Sequence, residues 1–462
     1  MIRTIGDPPA TPRPPATGRP DRIQRASSTR RVGLALPAFW GSAFMGLALL
    51  LAAPLPGPAP LSAQSAPQAA EPDTTDAASD EGLNLVFGEE AAREARANDE
   101  DFLSIGGAVR YNFVVENYES GTSTNNVYFT WDMWRINVQG RSNNVGIQFE
   151  YRFYPTFNTH FIKEGWLEYD TSDRTQIQVG VTQTPFGNLQ YNSHNWWFQL
   201  PYYVGLEDDH DMGVKLLHDR DDWNLQFAYF LQPEPAGPAA GAGSFGIGGT
   251  GRYSYDVVPV PEQNQSNQER HQANIRAVRT IEHDGGGTTE LGASAQIGGI
   301  YNQVTEEWGN RGAGAVHLDG TYGDWNILLQ HLHYAFDATD DDGADVDEVF
   351  VAAYGSPYAA AAEASMTSIG VQYTKDIDVG PFTQVNFYDN YTWMRKSADG
   401  FADTHQNVLG ASLAAGSLFV YFDLASGKNH PWLTEAFGSG FAAGDEDARW
   451  NTRFNVNIGY YF

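Results

Sequence analysis

The sequence predicts an all-β fold, a transmembrane antiparallel β-barrel with sixteen strands, short turns at one end and long loops at the other. Apolar and polar residues alternate with a period of two from Phe102 to the C-terminus. Aromatic residues are abundant, with 23 Tyr, 26 Phe and 12 Trp, and beyond the N-terminal region no apolar run is long enough for a transmembrane helix. Since every backbone polar group needs a partner in lipid, such strands must close into a barrel.

The first 63 residues have the features of a secretory signal peptide with an extended polar front. Arg25, Arg30 and Arg31 precede an apolar stretch over residues 32–53, and small residues around Ala63 offer a cleavage site. A single membrane anchor is the alternative, which Pro37 disfavours. Removing 7 Arg and 2 acids from the 28 basic and 57 acidic residues leaves a mature net charge of 21 − 55 = −34. We therefore expect no nucleic-acid partner.

Residues 64–101 form a segment rich in Ala, Pro, Asp and Glu, which is typical of a linker. Residues 89–97 are suited to a short helix, although so few residues bury too little surface to be stable alone. An oligomerisation or plug element is the alternative for this segment.

The pore domain is expected over residues 102–462. In the last segment Phe454, Ile458 and Tyr460 alternate with polar or small residues, and the closing residue is Phe462. The same pattern predicts strands over residues 103–116, 126–139, 144–154, 161–170, 175–184, 210–218, 223–232, 269–282, 289–300, 312–320, 324–335, 364–374, 381–393, 405–414, 417–426 and 450–462. This number is even, as in bacterial outer-membrane barrels, and a barrel of this size encloses an aqueous channel.

A soluble all-β repeat protein, such as a propeller or solenoid, is the alternative architecture. No fixed-period repeat supports it. Aromatic residues near the predicted strand ends favour a bilayer interface instead. They are Trp166, Tyr169, Trp325, Trp393 and Tyr460.

Residues 163–187, KEGWLEYDTSDRTQIQVGVTQTPFG, resemble a strand-turn-strand segment of the phosphate-selective porin O and P family and related trimeric porins. The specific part is the V-G-x-x-x-x-P-F-G ending, from Val179 to Gly187. The terminal strand, with Tyr460 and Phe462, resembles the signal that the barrel assembly machinery recognises. The resemblance implies a homotrimer in the bacterial outer membrane, in contact with lipid and lipopolysaccharide. Phosphate selectivity is not implied, since the family's dense Arg and Lys ladder is missing and acids are in excess.

Strand parity predicts which charged side chains line the pore. The inward set is Arg110, Arg135, Glu150, Arg152, Glu164, Glu168, Lys215 and Arg453. The long loop over residues 185–209 is the third on its side, and in sixteen-stranded porins this loop folds inward. Its acids Glu207, Asp208 and Asp209 would face a basic wall and create a transverse field. The alternative is that each charge is simply solvated.

These observations predict a porin for passive diffusion of small hydrophilic solutes, with a modest cation preference. A channel selective for carbohydrate, anions or phosphate is the alternative, followed by a non-channel barrel such as an enzyme or adhesin. The aromatic residues of loop 185–209 could stack on sugars, although packing against the barrel wall is the more common role.

No catalytic residue, cofactor or metal ligand is expected. The Gly-rich run at 246–251 has no following helix, and the pair of His210 with neighbouring acids lacks a matched Ser. The acidic loop 337–348 misses the EF-hand spacing, so a solvated loop is preferred to a calcium site.

Overall fold

A computed structural model describes residues 84–87, 95–96, 100–118, 126–237 and 251–462. The predicted signal peptide lies outside these residues, as does most of the predicted linker. Of the short helix expected at 89–97, Ala95 and Arg96 are described, and both are helical. No helix within the described ranges is long and apolar enough to cross a membrane.

The described residues form twenty strands and three short 3-10 helices. The strands are β1 Asn84–Phe87, β2 Phe102–Glu116, β3 Val127–Ser142, β4 Val145–Tyr154, β5 Thr159–Ser172, β6 Thr175–Gln183, β7 His210–Arg220, β8 Trp223–Pro233, β9 Asp256–Val257, β10 Asn267–Glu282, β11 Thr288–Asn302, β12 Trp308–Tyr322, β13 Trp325–Phe336, β14 Glu348–Ala353, β15 Ser356–Ala361, β16 Glu363–Val379, β17 Phe382–Lys396, β18 Thr404–Ala415, β19 Leu418–Lys428 and β20 Asn451–Tyr461. The 3-10 helices are Pro155–Phe157, Leu200–Val204 and Pro261–Gln263.

Sixteen of these strands close into one antiparallel barrel. Each pairs with its neighbour along the chain, β8 pairs with β10, β13 pairs with β16, and β20 returns to pair with β2. At this seam Phe462 and Gly107 exchange two backbone hydrogen bonds, of 2.7 and 2.9 Å. Every strand predicted from the sequence corresponds to one barrel strand, so the predicted fold class and strand number are confirmed.

The alternation places apolar side chains outside and polar side chains inside. On β20, Phe454, Ile458 and Tyr460 are exposed on the outer surface, whereas Asn455 and Asn457 are buried inside. An outer surface of this composition is stable in lipid, where the hydrogen-bonded barrel leaves no strand edge.

Four of the five predicted interface aromatics are exposed on this surface: Tyr169, Trp325, Trp393 and Tyr460. The prediction that Trp166 lies at the bilayer interface is wrong. Trp166 shares the inward parity of Glu168, and its Nε1 donates to the Glu168 carboxylate at 3.2 Å.

Strand β1 is a feature that the predicted linker did not anticipate. It pairs in parallel with the first residues of β2, matching Asn84 to Phe102 and Phe87 to Ile105. Strand β20 pairs with β2 only from Ala108 onward. The short parallel strand therefore covers the edge of β2 that the closing strand does not reach, and an uncovered edge is a template for wrong pairing.

The two ends of the barrel differ as predicted. Short connections lie at one end, over residues 143–144, 173–174, 221–222, 283–287, 323–324, 380–381 and 416–417. The connections at the other end, which we call the outer loops, lie within residues 117–126, 155–158, 184–209, 234–266, 303–307, 337–362, 397–403 and 429–450, of which 119–125 and 238–250 are outside the described ranges. Strands β9, β14 and β15 form a small sheet within them that the sequence did not predict.

Candidate pore constriction

The outer loop at residues 184–209, called the eyelet loop here, enters the barrel and contacts the wall formed by β10 to β13. The backbone N of Gly187 donates to Ser294 Oγ at 3.0 Å, and the Gly187 carbonyl accepts from Arg276 Nε at 2.8 Å. The next residue, Asn188, donates its backbone N–H to Gln330 Oε1 at 3.0 Å. The first part of the loop is thus fixed to inward-facing groups.

The middle of the eyelet loop extends further around the lumen, from β13 to β17 and β18. His194 lies between Asn326 and Asn390, at 2.7 Å from Asn326 Oδ1 and with its backbone N 2.7 Å from Asn390 Oδ1. Further along, Gln199 accepts a hydrogen bond from Thr392, and the Phe198 carbonyl accepts one from Gln406. The loop therefore crosses the barrel interior and narrows it.

Two glycines of the segment from Val179 to Gly187 are required by the backbone conformation, one on β6 and one in the eyelet loop. Gly180 lies on β6 with φ 141°, and a Cβ there would collide with the carbonyl of Gly165 on β5. Gly187 has φ 69°, and a Cβ would collide with the side-chain oxygen of Gln330. Both positions combine a left-handed backbone with close approach, which only glycine accommodates without strain.

Two tryptophans of the eyelet loop cover arginines of the barrel wall. The guanidinium of Arg110 lies 4.9 Å from the ring centre of Trp196, and that of Arg453 lies 5.0 Å from the ring centre of Trp197. Such cation–π contacts contribute on the order of 0.5 to 2 kcal/mol each. The two rings fix the middle of the loop against β2 and β20.

The four arginines predicted to form a charged wall do lie inside the barrel, but each has an acidic neighbour. Arg110 pairs with Asp132 at 2.8 Å, and Arg453 lies 3.8 Å from Glu116. Glu150 receives both Arg135, at 2.9 Å, and Arg152. Because these pairs form within one wall, the field across the lumen is weaker than the isolated charges would give.

The other three predicted wall residues also have inward partners. Glu164 accepts from Gln148 at 3.0 Å and lies 3.4 Å from His210 Nε2. Glu168 pairs with Arg96 at 2.6 Å, which brings the N-terminal segment to the lumen at the short-turn end. Lys215 donates to the carbonyl of Gln183 at 2.9 Å.

The three loop carboxylates do not face an open passage, which differs from the prediction. Glu207, Asp208 and Asp209 are each only 3% exposed. Glu207 accepts the backbone N–H groups of Asn192 and Gln199 at 3.0 and 3.2 Å, and so ties the loop to itself. Its position is explained by two otherwise unsatisfied loop amides, a requirement that alternation patterns do not reveal.

The carboxylates of Asp208 and Asp209 also have hydrogen-bond or ion-pair partners. Asp208 accepts from Tyr253 Oη at 2.5 Å and lies 3.6 Å from Lys163 Nζ. Asp209 accepts from Thr184 Oγ1 at 3.1 Å. Burial raises the pKa of Glu207 to about 8 and that of Asp209 to about 7, nearby Glu269 adding to the latter.

The aromatic residues of the eyelet loop serve mainly in packing. Phe198 and Tyr202 stack with ring centres 4.2 Å apart, and Tyr202 Oη lies 2.7 Å from Tyr354 Oη of another outer loop. Tyr358 donates to the carbonyl of Tyr203 at 2.6 Å. We call this group, with Tyr253, Tyr255 and Trp432, the outer aromatic cluster. It joins four outer loops, and burial raises the pKa of its tyrosines.

The structure also describes most of the other sites considered from the sequence, which are the acidic loop, His210 and the Gly-rich run. In the acidic loop, Asp340 accepts from the backbone of Asp342 and Ala344, and Asp341 accepts from Ser266, so these carboxylates order the loop itself. His210 is 1% exposed and is enclosed by Glu164 and Asp208. Of the Gly-rich run, residues 246–250 lie outside the described ranges.

Three further residues at the constriction are not in the set predicted from strand parity. Asp132, Lys163 and Arg276 all face the eyelet loop or its partners. Asp132 and Lys163 stand at positions where the strand register shifts by one residue, which changes the simple parity count. Arg276 follows the regular alternation of β10 and could have been found from it.

No protein-family model matches the chain, and no curated protein matches it in sequence. Solved structures share its fold. The outer membrane channel DcaP of Acinetobacter baumannii is 9% identical, with a TM-score of 0.50 over 78% of this chain and 97% of that chain. An anion-selective porin from Comamonas acidovorans is 12% identical, with a TM-score of 0.50 over 79% and 100%. This likeness shows the fold of an outer-membrane porin barrel and does not single out the phosphate-selective family.

Proposed function

We propose that the chain is an outer-membrane porin, rather than an enzyme, and that it forms a water-filled channel for passive diffusion of small hydrophilic solutes. The observation that carries this proposal is the eyelet loop, which spans a closed barrel and is fixed on both sides by polar inward-facing side chains such as Ser294, Gln330 and Asn390. A loop held in this way sets a fixed aperture.

Selectivity is expected to be modest and to favour cations, for a reason other than the loop carboxylates. Arg110, Arg135 and Arg152 are paired with acids and so attract anions weakly, whereas Lys215 and Arg276 have no salt-bridge partner among the described residues. Exposed acids at the outer mouth raise the local cation concentration. They are Asp342, Asp345, Asp347, Asp445, Glu446 and Asp447. Such charges are screened over about 8 Å at physiological salt, so the preference should fall as salt rises.

A homotrimer is part of the proposal, and one sector of the outer surface supports it. Near the outer loops, the outward-facing positions 331 and 333 of β13 and 365 and 367 of β16 carry polar side chains in place of apolar ones. His331 lies 2.9 Å from Thr367 Oγ1, and His333 lies 3.0 Å from Ser365 Oγ. Polar groups on the outer surface of a barrel are better accommodated against protein than against lipid. Chemical crosslinking in native membranes should give a trimer in the wild type and less of it when His331 and His333 become Leu.

The test of the channel is planar-bilayer recording on the purified barrel, combined with liposome swelling in sugars of increasing size. Discrete conductance steps and a size-dependent fall in swelling rate are expected. Reversal potentials in a potassium chloride gradient should show a cation preference that is larger at low salt. A folded barrel without conductance would contradict the porin proposal and favour an adhesin, an enzyme or a plugged barrel.

A further inference from the structure

Three buried aspartates meet where the eyelet loop ends and an outer loop covers it. They are Asp209 at the loop end, Asp211 on β7 and Asp256 on β9, and one carboxylate oxygen of each lies within 4.8 Å of the other two. Their exposed fractions are 3%, 1% and 0%. Asp256 is 45 residues from Asp211 along the chain, so the group is formed by folding.

Each aspartate is held through one oxygen and leaves the other free. Thr184 Oγ1 donates to Asp209 Oδ2 at 3.1 Å, Gln272 Nε2 to Asp211 Oδ2 at 3.2 Å, and Arg252 to Asp256 Oδ2 at 2.7 Å. The Oδ1 atoms of all three are buried without a hydrogen-bond partner. Anchored carboxylates with unsatisfied oxygens form a prepared site, since burying such atoms unpaired is costly.

The negative charge of the three aspartates and their surroundings is only partly neutralised. Glu234 and Glu269 are buried nearby, and Glu234 Oε2 is another buried oxygen without a partner. Two arginines offset part of this charge, because Arg252 pairs with Asp256 and Arg311 pairs with Glu269. Asp209, Asp211 and Glu234 are left without a salt-bridge partner among the described residues. Five buried carboxylates against two guanidinium groups leave a deficit that a divalent cation would reduce.

The donor set specifies the kind of cation. All the available atoms are carboxylate oxygens, which are the ligands of hard cations and not of soft transition metals. Ca²⁺ accepts six to eight oxygens at about 2.3 to 2.6 Å in flexible geometry, so oxygens as far as 4.8 Å apart can share one ion. Mg²⁺ requires a tighter octahedron.

We propose that Asp209, Asp211 and Asp256 bind one Ca²⁺ ion through their Oδ1 atoms, with Glu234 as a further oxygen donor. The ion would link the end of the eyelet loop to β7 and to the outer loop that carries β9. This site differs from the acidic loop 337–348 and does not depend on the channel being open.

The experiment uses the whole protein, purified from outer membranes in detergent and treated with a chelator. Equilibrium dialysis with radioactive Ca²⁺ should give one tightly held ion per chain, and Mg²⁺ should compete at least tenfold more weakly. Asp211→Asn and Asp256→Asn should each weaken Ca²⁺ binding at least tenfold. Asp347→Asn, an exposed acid of the outer mouth, is the matched control and should bind as the wild type does.

A second measurement covers the case in which a variant does not fold. Ca²⁺ should raise the thermal unfolding temperature of the chelated wild-type barrel, and Thr184→Val, which removes only the donor to Asp209, should reduce that rise. Absence of a bound ion in the wild type at millimolar Ca²⁺ would overturn the proposal. Wild-type affinity in folded Asp211→Asn and Asp256→Asn proteins would also overturn it.

Discussion

The indole ring of Trp196, on the eyelet loop, covers the guanidinium group of Arg110, on β2, at 4.9 Å. The same guanidinium pairs with Asp132 on β3, so one inward-facing arginine joins the loop to two barrel strands. Strand β2 is four strands away from β6, after which the loop begins. The contact therefore fixes the position of the loop against this part of the barrel wall.

Trp196→Ala should widen the constriction and raise single-channel conductance in planar bilayers. The loss of the ring contact should also lower the free energy of unfolding, by about 0.5 to 2 kcal/mol. Trp325→Ala is the control, because Trp325 is exposed on the outer surface of β13 and should leave conductance unchanged. Unchanged conductance in Trp196→Ala would mean that this ring does not limit the aperture.

Deleting Phe462, or replacing it with Asp, should sharply reduce assembly of the barrel. Deletion removes the two backbone hydrogen bonds that Phe462 exchanges with Gly107 at the closing seam. Aspartate keeps the backbone but places a charge where the aromatic ring meets lipid. The fraction of heat-modifiable barrel in outer membranes measures the effect, and Phe462→Tyr should retain it. Normal yield in both altered proteins would count against the terminal residue as an assembly signal.

Arginine at the outward-facing Phe149 should destabilise the barrel by about 2 to 4 kcal/mol if the position is near the bilayer midplane. Arginine at the adjacent Gln148 should be tolerated, because that side chain points inward and lies 3.0 Å from the Glu164 carboxylate. Equilibrium unfolding in urea measures both proteins. Equal losses would show that inward and outward positions on β4 are not distinguished.

The eyelet loop should loosen as the pH rises through about 8, because burial raises the pKa of Glu207 to that value. The folded protein binds this proton more tightly than the unfolded chain does. The resulting stabilisation is complete below the ordinary carboxyl pKa and is lost as the pH rises through the folded-state value. Hydrogen exchange of the Asn192 and Gln199 amides, which donate to Glu207, should quicken over this range beyond the intrinsic pH effect.

Glu207→Gln should remove this extra acceleration, since its side chain cannot ionise. Glu262→Gln, at an exposed site in another outer loop, should behave as the wild type does. The same excess acceleration in Glu207→Gln would assign the effect to another group.

Strand positions were predictable because alternation is a local property that each strand carries by itself. The inward parity of Arg110 and Arg152 followed from it. Their neutralisation did not, because Asp132 lies next to a register shift and Glu150 serves two arginines at once. Pairing depends on neighbouring strands and on their exact register.

The loops were less predictable for a related reason. That the loop after β6 crosses the lumen was expected from the resemblance, but the burial of Glu207 depends on amides of the loop's own fold. Strand β1 lies in a segment whose composition is typical of a linker, and it forms because β2 offers an uncovered edge. Such structure is determined by tertiary contacts and leaves little pattern in the sequence.

The eyelet loop also links separate parts of the barrel wall through the lumen. It is fastened to Ser294 and Gln330 on one stretch of wall and to Asn390 and Thr392 on another, with Trp196 reaching β2. A cylinder braced across its width resists flattening when the surrounding bilayer presses on it. Lateral pressure, or a change in bilayer thickness, should therefore have little effect on the width of the passage where the loop spans it.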